Sequence, residues 1–465
     1  MRTRLRLSLV ALATAAVTAL TAGSAPAAVQ ARTAASGHLT GTLADGGTWI
    51  ADVPAGWNGT LLLFSHGFGP LVARDAPTDA VRDELLAQGY ALAGSSYDPN
   101  GSMWALASAE RDQFATLDAV TARIGTPSRT LSVGTSMGGL VNARIARDGA
   151  GRVDGALGLC GLVAGGTDLD NYQLDAEYTL ARLLLPEQDV KLVRFGSADE
   201  AAATAQQLTA AVTAAQATPR GRARIALAAA FLNLPAWAPG RTAPAPTDWA
   251  GQQEQQYAWF ASGILSFVEG GRYAVEQSVG GDNSWNRGVD YARLLAGSVH
   301  APQVRALYRA AGLDLRADLK ALTSGARITA DPDAVRTAER TSSAGQGLAV
   351  PLLDVHTTAD NLVPVEQERR FADRVHAAGR GALLRQAYVE RQGHCTFTTA
   401  ETVAALHALE HRVASGSWAA AGPAALQRSA TALGLDGAAY VPYRPATLTV
   451  TGSQPYRGVP KSWVQ

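Results

Sequence analysis

A serine stands between two glycines in Gly134-Thr135-Ser136-Met137-Gly138, where the pattern reads as the end of a strand and the start of a helix. Side chains at Gly134 and Gly138 would clash in so sharp a turn. The turn lifts the Ser136 hydroxyl clear of the sheet and sets it at a helix N-terminus, where partial positive charge favours an anionic intermediate. A serine hydroxyl is a poor nucleophile without a base. Among the eight histidines, His394 in Gly393-His394-Cys395 follows a strand and precedes a helix, and is the expected base. His356, at the end of another strand, is its rival. The base needs a carboxylate to hold its tautomer and stabilise the imidazolium. Asp360, in the loop after the strand that precedes the His394 strand, is expected to supply it; Asp354 lies inside that strand and reads as structural. Charge developing on a carbonyl oxygen calls for backbone donors that contribute ~2.7–4 kcal/mol each. The expected donors are the N–H groups of Met137 and of Phe68, the latter in the glycine-flanked loop His66-Gly67-Phe68-Gly69. His66, Gly67, Gly134 and Gly138 are thus supporting residues, and Tyr97 and Trp104 are candidates for the edge of a substrate pocket.

These residues need a rigid frame. Residues 38–43 and 48–53 flank Asp45-Gly46-Gly47 and read as a hairpin. Strand patterns at 60–65, 90–95, 130–133 and 153–159 alternate with helical patterns at 80–88, 110–124 and 140–147. The alternation resumes late, with strands at 350–356 and 383–390 and helices at 365–378 and 400–413. Such alternation predicts an α/β fold, a mostly parallel sheet with helices on both faces. Roughly 180 residues between the two halves hold helical stretches at 172–185, 199–217, 220–232, 253–267 and 304–322, far too much for a plain loop. We read residues 28–166 and 349–415 as one core, 167–348 as a helical cap inserted into it, and 416–465 as a C-terminal tail. The cap aromatics Trp237, Trp249, Trp259, Phe260 and Trp285 are more simply cap core than pocket wall.

Residues 1–27 have the plan of a secretory signal peptide: Arg2, Arg4 and Arg6, an apolar stretch at 7–20, then Ala25-Pro26-Ala27 as cleavage site. The expected mature protein is exported, carries about −3 net charge and has no membrane span. With 40 basic and 40 acidic residues over the whole chain, no charge excess points to nucleic acid. In an oxidising compartment two cysteines predict one disulfide, Cys160–Cys395. His407-Ala408-Leu409-Glu410-His411 has the spacing of an inverted zinc motif. No third ligand can be named for it, and no cofactor or metal is expected. Nothing in the pattern sets the oligomeric state.

The loop His66–Gly69, the motif around Ser136, the Asp360 loop and Gly393-His394 together resemble the α/β-hydrolase family. The resemblance covers residues 38–165 and 350–413 and implies acyl transfer to water through an acyl-enzyme. In this family a cap commonly enters after the sixth strand, as it does here. His394-Cys395 is similar to tannase and feruloyl-esterase members, although Thr135 stands where those place a cysteine before the serine. Secreted prolyl and tripeptidyl aminopeptidases share a helical cap, but Phe68-Gly69-Pro70 departs from their oxyanion loop. The expected function is hydrolysis of a small-molecule carboxylic ester, with a secreted peptidase as the nearest alternative and a non-catalytic binding protein on the same fold as the more distant one.

Overall fold

Continuous apolar runs dictate the centre of the sheet. Every residue of β3 (Thr60–Ser65), β4 (Ala91–Ser95) and β6 (Gly155–Leu159) is buried, as parallel strands covered on both faces require. The computed structural model describes residues 36–435 and 437–451. With β1 (Gly37–Thr42), β2 (Thr48–Val53), β5 (Arg129–Thr135), β7 (Leu352–Ala359), β8 (Leu384–Gln392) and β9 (Tyr440–Val441), these strands form one nine-stranded sheet. Its order is β1-β2-β4-β3-β5-β6-β7-β8-β9. The inner strands from β4 to β8 are parallel, and β1, β2 and β9 are antiparallel to their neighbours. This is the α/β-hydrolase arrangement expected from the sequence.

Register determines what the sheet offers at its carboxyl edge. Thr135 pairs with Leu159, Leu159 with Val355, and Ala359 with Gln392. The residues that follow at that edge are Ser136, Cys160, Asp360 and the Gly393-His394 pair, so chemistry from four separate strands converges there. The carboxyl ends of parallel strands are the usual ligand side of such sheets.

Between β6 and β7 the described residues form helices and no strand of the sheet. Two continuous helical patterns are in fact broken. Residues 253–267 divide into the helices Trp249–Ala261 and Ile264–Val279 because Gly263 takes φ +95°. Residues 304–322 divide into Ala301–Ala310 and Leu315–Gly325, with Gly312 at φ +62° and the Asp314 side chain accepting from the Ala317 N–H. Two further helices, Tyr291–Gly297 and Pro332–Ser342, lie outside the helical patterns of the sequence. One apolar cluster joins Leu140 and Val141, under the sheet, to Tyr172, Phe231, Phe260 and Tyr308 of the helical segment, so the two parts share a core.

The tail is also more ordered than its composition indicates. Pro423–Ala432 is a helix, and β9 pairs with β8. Thr449 returns to the helical segment, where Asn233 accepts from its N–H at 2.8 Å and donates to its carbonyl at 2.9 Å. The expected signal sequence and residues 452–465 of the tail lie outside the described residues. Among the described residues no helix is long and apolar enough to cross a membrane.

Asn233 is buried and left-handed, at φ +55°, a conformation asparagine tolerates. Asn233→Ala removes both bonds and leaves the buried Thr449 N–H unpaired, which is expected to cost about 2–3 kcal/mol. Urea unfolding of the variant against the parent checks this.

Candidate active site

Backbone sterics set the position of Ser136. It joins β5 to the helix Met137–Asp148 at φ +57°, ψ −122°, a conformation strained for a residue with a side chain. Its N–H is held by the Leu159 carbonyl at 2.9 Å. A Cβ on Gly134 would strike the Gly138 carbonyl, and one on Gly138 would strike the Ser65 carbonyl, so both glycines are required by close approach. The His66–Gly69 loop lies directly against the serine: a Cβ on Gly67 would sit 3.1 Å from Ser136 Cβ and 3.6 Å from Oγ.

His394 Nε2 lies 2.8 Å from Ser136 Oγ, and its Nδ1 lies 2.7 Å from Asp360 Oδ2. Facing a carboxylate, Nδ1 carries the proton, which leaves Nε2 free to accept from the serine hydroxyl. The His394 loop is tied down by Gly393, whose N–H donates to the Ala359 carbonyl and whose carbonyl accepts from Thr357 Oγ1, each at 2.9 Å. Asp360 is 1 % exposed, and its Oδ1 accepts from the N–H groups of Leu362 and Val363 at 2.9 Å. Burial alone would raise the Asp360 pKa; the charges and hydrogen bonds of His394 and His356 overcome this and hold the carboxyl well below the usual range.

His356 thus lies behind the acid and does not face the serine. Its Nδ1 lies 3.1 Å from Glu368 Oε1, and its Nε2 lies 2.8 Å from the Val363 carbonyl and 3.5 Å from Asp360 Oδ2. Both ring nitrogens face acceptors, a demand that only imidazolium meets. Burial opposes that charge, but the Asp360 and Glu368 carboxylates push the His356 pKa well above its ordinary value. Asp354 is buried in β7 with both carboxyl oxygens unpartnered, and burial followed by Glu368 pushes its pKa well up.

Cys160 and Cys395 form a disulfide with Cα atoms 5.4 Å apart across 235 residues of chain. It joins the end of β6 to the residue after His394. The sulfurs and the His394 ring stand at metal-ligand proximity, but bonded cysteines offer no thiolate. The His407-to-His411 turn is engaged otherwise: His407 Nε2 faces Gln88 at 2.9 Å, Glu410 accepts from Tyr90 at 2.6 Å, and His411 Nδ1 faces the Ser417 carbonyl at 3.3 Å.

Ser136 and His394 open into a narrow cavity of about 30 Å³. Its wall includes Phe68, Trp104, Leu162 and Phe267, with Asp170 and Gln173 as further polar side chains. The rings of Phe68 and Phe267 meet edge to face at 5.6 Å. Contrary to expectation, Tyr97 is not at the pocket edge: it is fully buried, donates to the His66 carbonyl at 3.0 Å, stacks on the His66 ring and does not line this cavity. Trp104 does line it, with its indole N–H donating to Ser342 at 3.2 Å. The aromatics Trp237, Trp249, Trp259, Phe260 and Trp285 are not in this wall. Asp170, Gln173 and Phe267 escaped the sequence reading because they are single residues on helices whose packing decides which face meets the serine.

No protein-family model matches the chain. It is 30% identical over 412 residues to the o-phthalyl amidase of Xanthobacter agilis, a match covering 82% of this chain and 88% of that protein. Similar solved structures include feruloyl esterase B from Aspergillus oryzae, at 11% identity, 82% of this chain, 80% of that chain and a TM-score of 0.39. Another is an esterase from Aspergillus oryzae, at 13% identity, 80% and 77% coverage and a TM-score of 0.38.

Two outcomes follow from this geometry. Replacing Cys160 and Cys395 together by alanine is expected to lower unfolding stability by roughly 2–5 kcal/mol; the parent protein under reductant should match the variant in urea titration. For His356, stability from its raised pKa is fully present below the unfolded value of ~6.5 and lost as pH rises through the higher folded value. His356→Gln should therefore be less stable than the parent at about pH 6, with a gap that narrows toward about pH 10. A gap constant over that range would contradict the imidazolium.

Proposed function

We propose a Ser136-centred acyl-transfer function for this chain, which belongs to the α/β-hydrolase family and is a hydrolase. The hydrogen-bonded series Ser136 Oγ, His394 and Asp360, at 2.8 and 2.7 Å, carries the reading. His394 removes the hydroxyl proton as Ser136 attacks a carboxylic ester, and later delivers it to the leaving alcohol. Asp360 stabilises the imidazolium formed between those steps. The N–H groups of Met137 and Phe68 stabilise the oxyanion, and the closeness of Gly67 to Ser136 favours this role for the loop. Water then releases the acid from the acyl-enzyme.

A second reading, amide hydrolysis, is favoured by one observation: the relative sharing 30% identity is named an o-phthalyl amidase. The machinery is the same, with protonation of a leaving amine replacing that of an alcohol. The helical segment between β6 and β7 is the part we assign to substrate selection, because it supplies Leu169, Asp170, Gln173 and Phe267 to the cavity wall. Export belongs to this reading too, supported by the Cys160–Cys395 bond and by the pattern of residues 1–27.

Ser136→Ala is expected to lower hydrolysis of p-nitrophenyl esters by about 10⁴-fold or more with unchanged unfolding, and to end covalent labelling by a fluorophosphonate. Full activity in that variant would sink the assignment. Parallel rates on short-chain esters, feruloyl esters and N-acyl anilides distinguish ester from amide preference.

A further inference from the structure

Asp170 lies on the Gly166–Leu184 helix, is 1 % exposed, and lines the same cavity as Ser136 and His394. Neither of its carboxyl oxygens has a hydrogen-bond partner. The Asn283 amide faces it without closing a bond, and Asn283 Nδ2 is unpartnered too. The helix that carries Asp170 is firmly placed. Asp168 accepts from Arg370 at 2.9 Å and from Arg374 at 2.7 Å, and the Tyr172 hydroxyl accepts from Gln367 at 3.1 Å. The bare carboxyl is therefore not a side chain left loose at a surface.

The cation nearest to it is committed elsewhere. Arg272, also fully buried, donates to Ser284 Oγ at 3.0 Å, to Glu177 at 3.0 Å and to the backbone carbonyl of Asp170 at 3.2 Å, but not to the Asp170 carboxyl. Asp170, Glu177, Glu269 and Asp282 all face this single guanidinium, so acidic groups outnumber cations here. The described lining of the cavity contains no lysine or arginine, and apart from Ser136, His394, Asp170 and Gln173 its side chains are apolar. A buried carboxyl that no donor bonds costs free energy, which an incoming donor recovers. Burial pushes the Asp170 pKa up to about 7, with Arg272 opposing, so a cation arriving near neutral pH meets a carboxyl that ionises readily.

We propose that Asp170 is a specificity-determining residue that receives a primary ammonium group borne on the acyl part of the substrate, an inference that rests on Ser136 being the nucleophile. Because one narrow cavity holds both residues, the ammonium stands a few bonds from the scissile carbonyl. Amino-acid esters are the simplest substrates with this chemistry.

The test compares kcat/KM for ethyl esters that differ only in ammonium against methyl. The pairs are alanine ethyl ester with ethyl 2-methylpropanoate, β-alanine ethyl ester with ethyl butanoate, and ethyl 4-aminobutanoate with ethyl pentanoate, each followed by acid release at neutral pH. The expected result is a preference of about ten- to hundred-fold for the ammonium ester in at least one pair, falling to about one in Asp170→Asn. The ratio within a pair reports recognition even if the variant loses overall activity, and the parent ratio stands if the variant does not fold. Ratios at or below one in all three pairs, or a preference that survives Asp170→Asn, would overturn the proposal. If the parent protein hydrolyses none of the six esters, turnover of these substrates gives no ratio, and the ester reading is judged on the p-nitrophenyl esters instead. The Asp170 site is then decided by calorimetric binding to Ser136→Ala: butylammonium bound more tightly than 1-butanol supports it, and butanoate bound more tightly than butylammonium overturns it.

Discussion

A fully buried carboxylate that stays ionised is the constraint on which the site depends. Asp360 is shut off from bulk solvent, so protein groups must solvate it, and each of them makes a demand on the fold. Two N–H groups require the loop after β7 to turn tightly at Leu362 and Val363. The Nδ1 of His394 requires β7 and β8 to be neighbours in one register, so that residues 360 and 394 leave the sheet together. The third source of support, His356, is buried between this carboxylate and Glu368, which puts two more titratable groups beneath the visible site. Removing any one of these partners leaves charge in an apolar place, which costs far more than the hydrogen bond itself contributes.

The sheet and its carboxyl edge were legible because the signal is local. Apolar runs such as residues 61–64, the glycines around Ser136 and the strand-to-helix junctions all report on nearest neighbours. Strand order then forces residues far apart in the chain to share one edge, so the grouping of Ser136, Asp360 and His394 could be anticipated without seeing it. What lay behind that edge was not legible. His356 reads from sequence as a rival base, and only its packing against Glu368 and the Val363 carbonyl reveals that it faces away from Ser136. Tyr97 reads as a pocket residue because its loop leaves β4 at the correct edge; its ring instead turns inward and stacks on His66.

The helical segment was legible only as helix. Periodicity marks an apolar stripe but does not state which neighbour the stripe meets, and two long patterns concealed breaks at Gly263 and Gly312. Its contact with the catalytic edge depends on pairs such as Asp168 with Arg374 and Gln367 with Tyr172, whose members lie about 200 positions apart in the chain. The motifs at the sheet edge are thus written locally, whereas the cavity lining from the helical segment is set by tertiary packing between segments with no local mark.

The contact between Phe68 and Phe267 bears on the shape of the cavity. Both rings line the cavity that reaches Ser136 and His394, so their contact narrows it. Phe68 belongs to the loop beside Ser136, whereas Phe267, 44 % exposed, belongs to the helical segment. The width of the cavity beside the serine is therefore set jointly by two segments that are far apart in the chain. A change of bulk at Phe267 is thus felt at the loop beside Ser136, although the two positions share no local sequence.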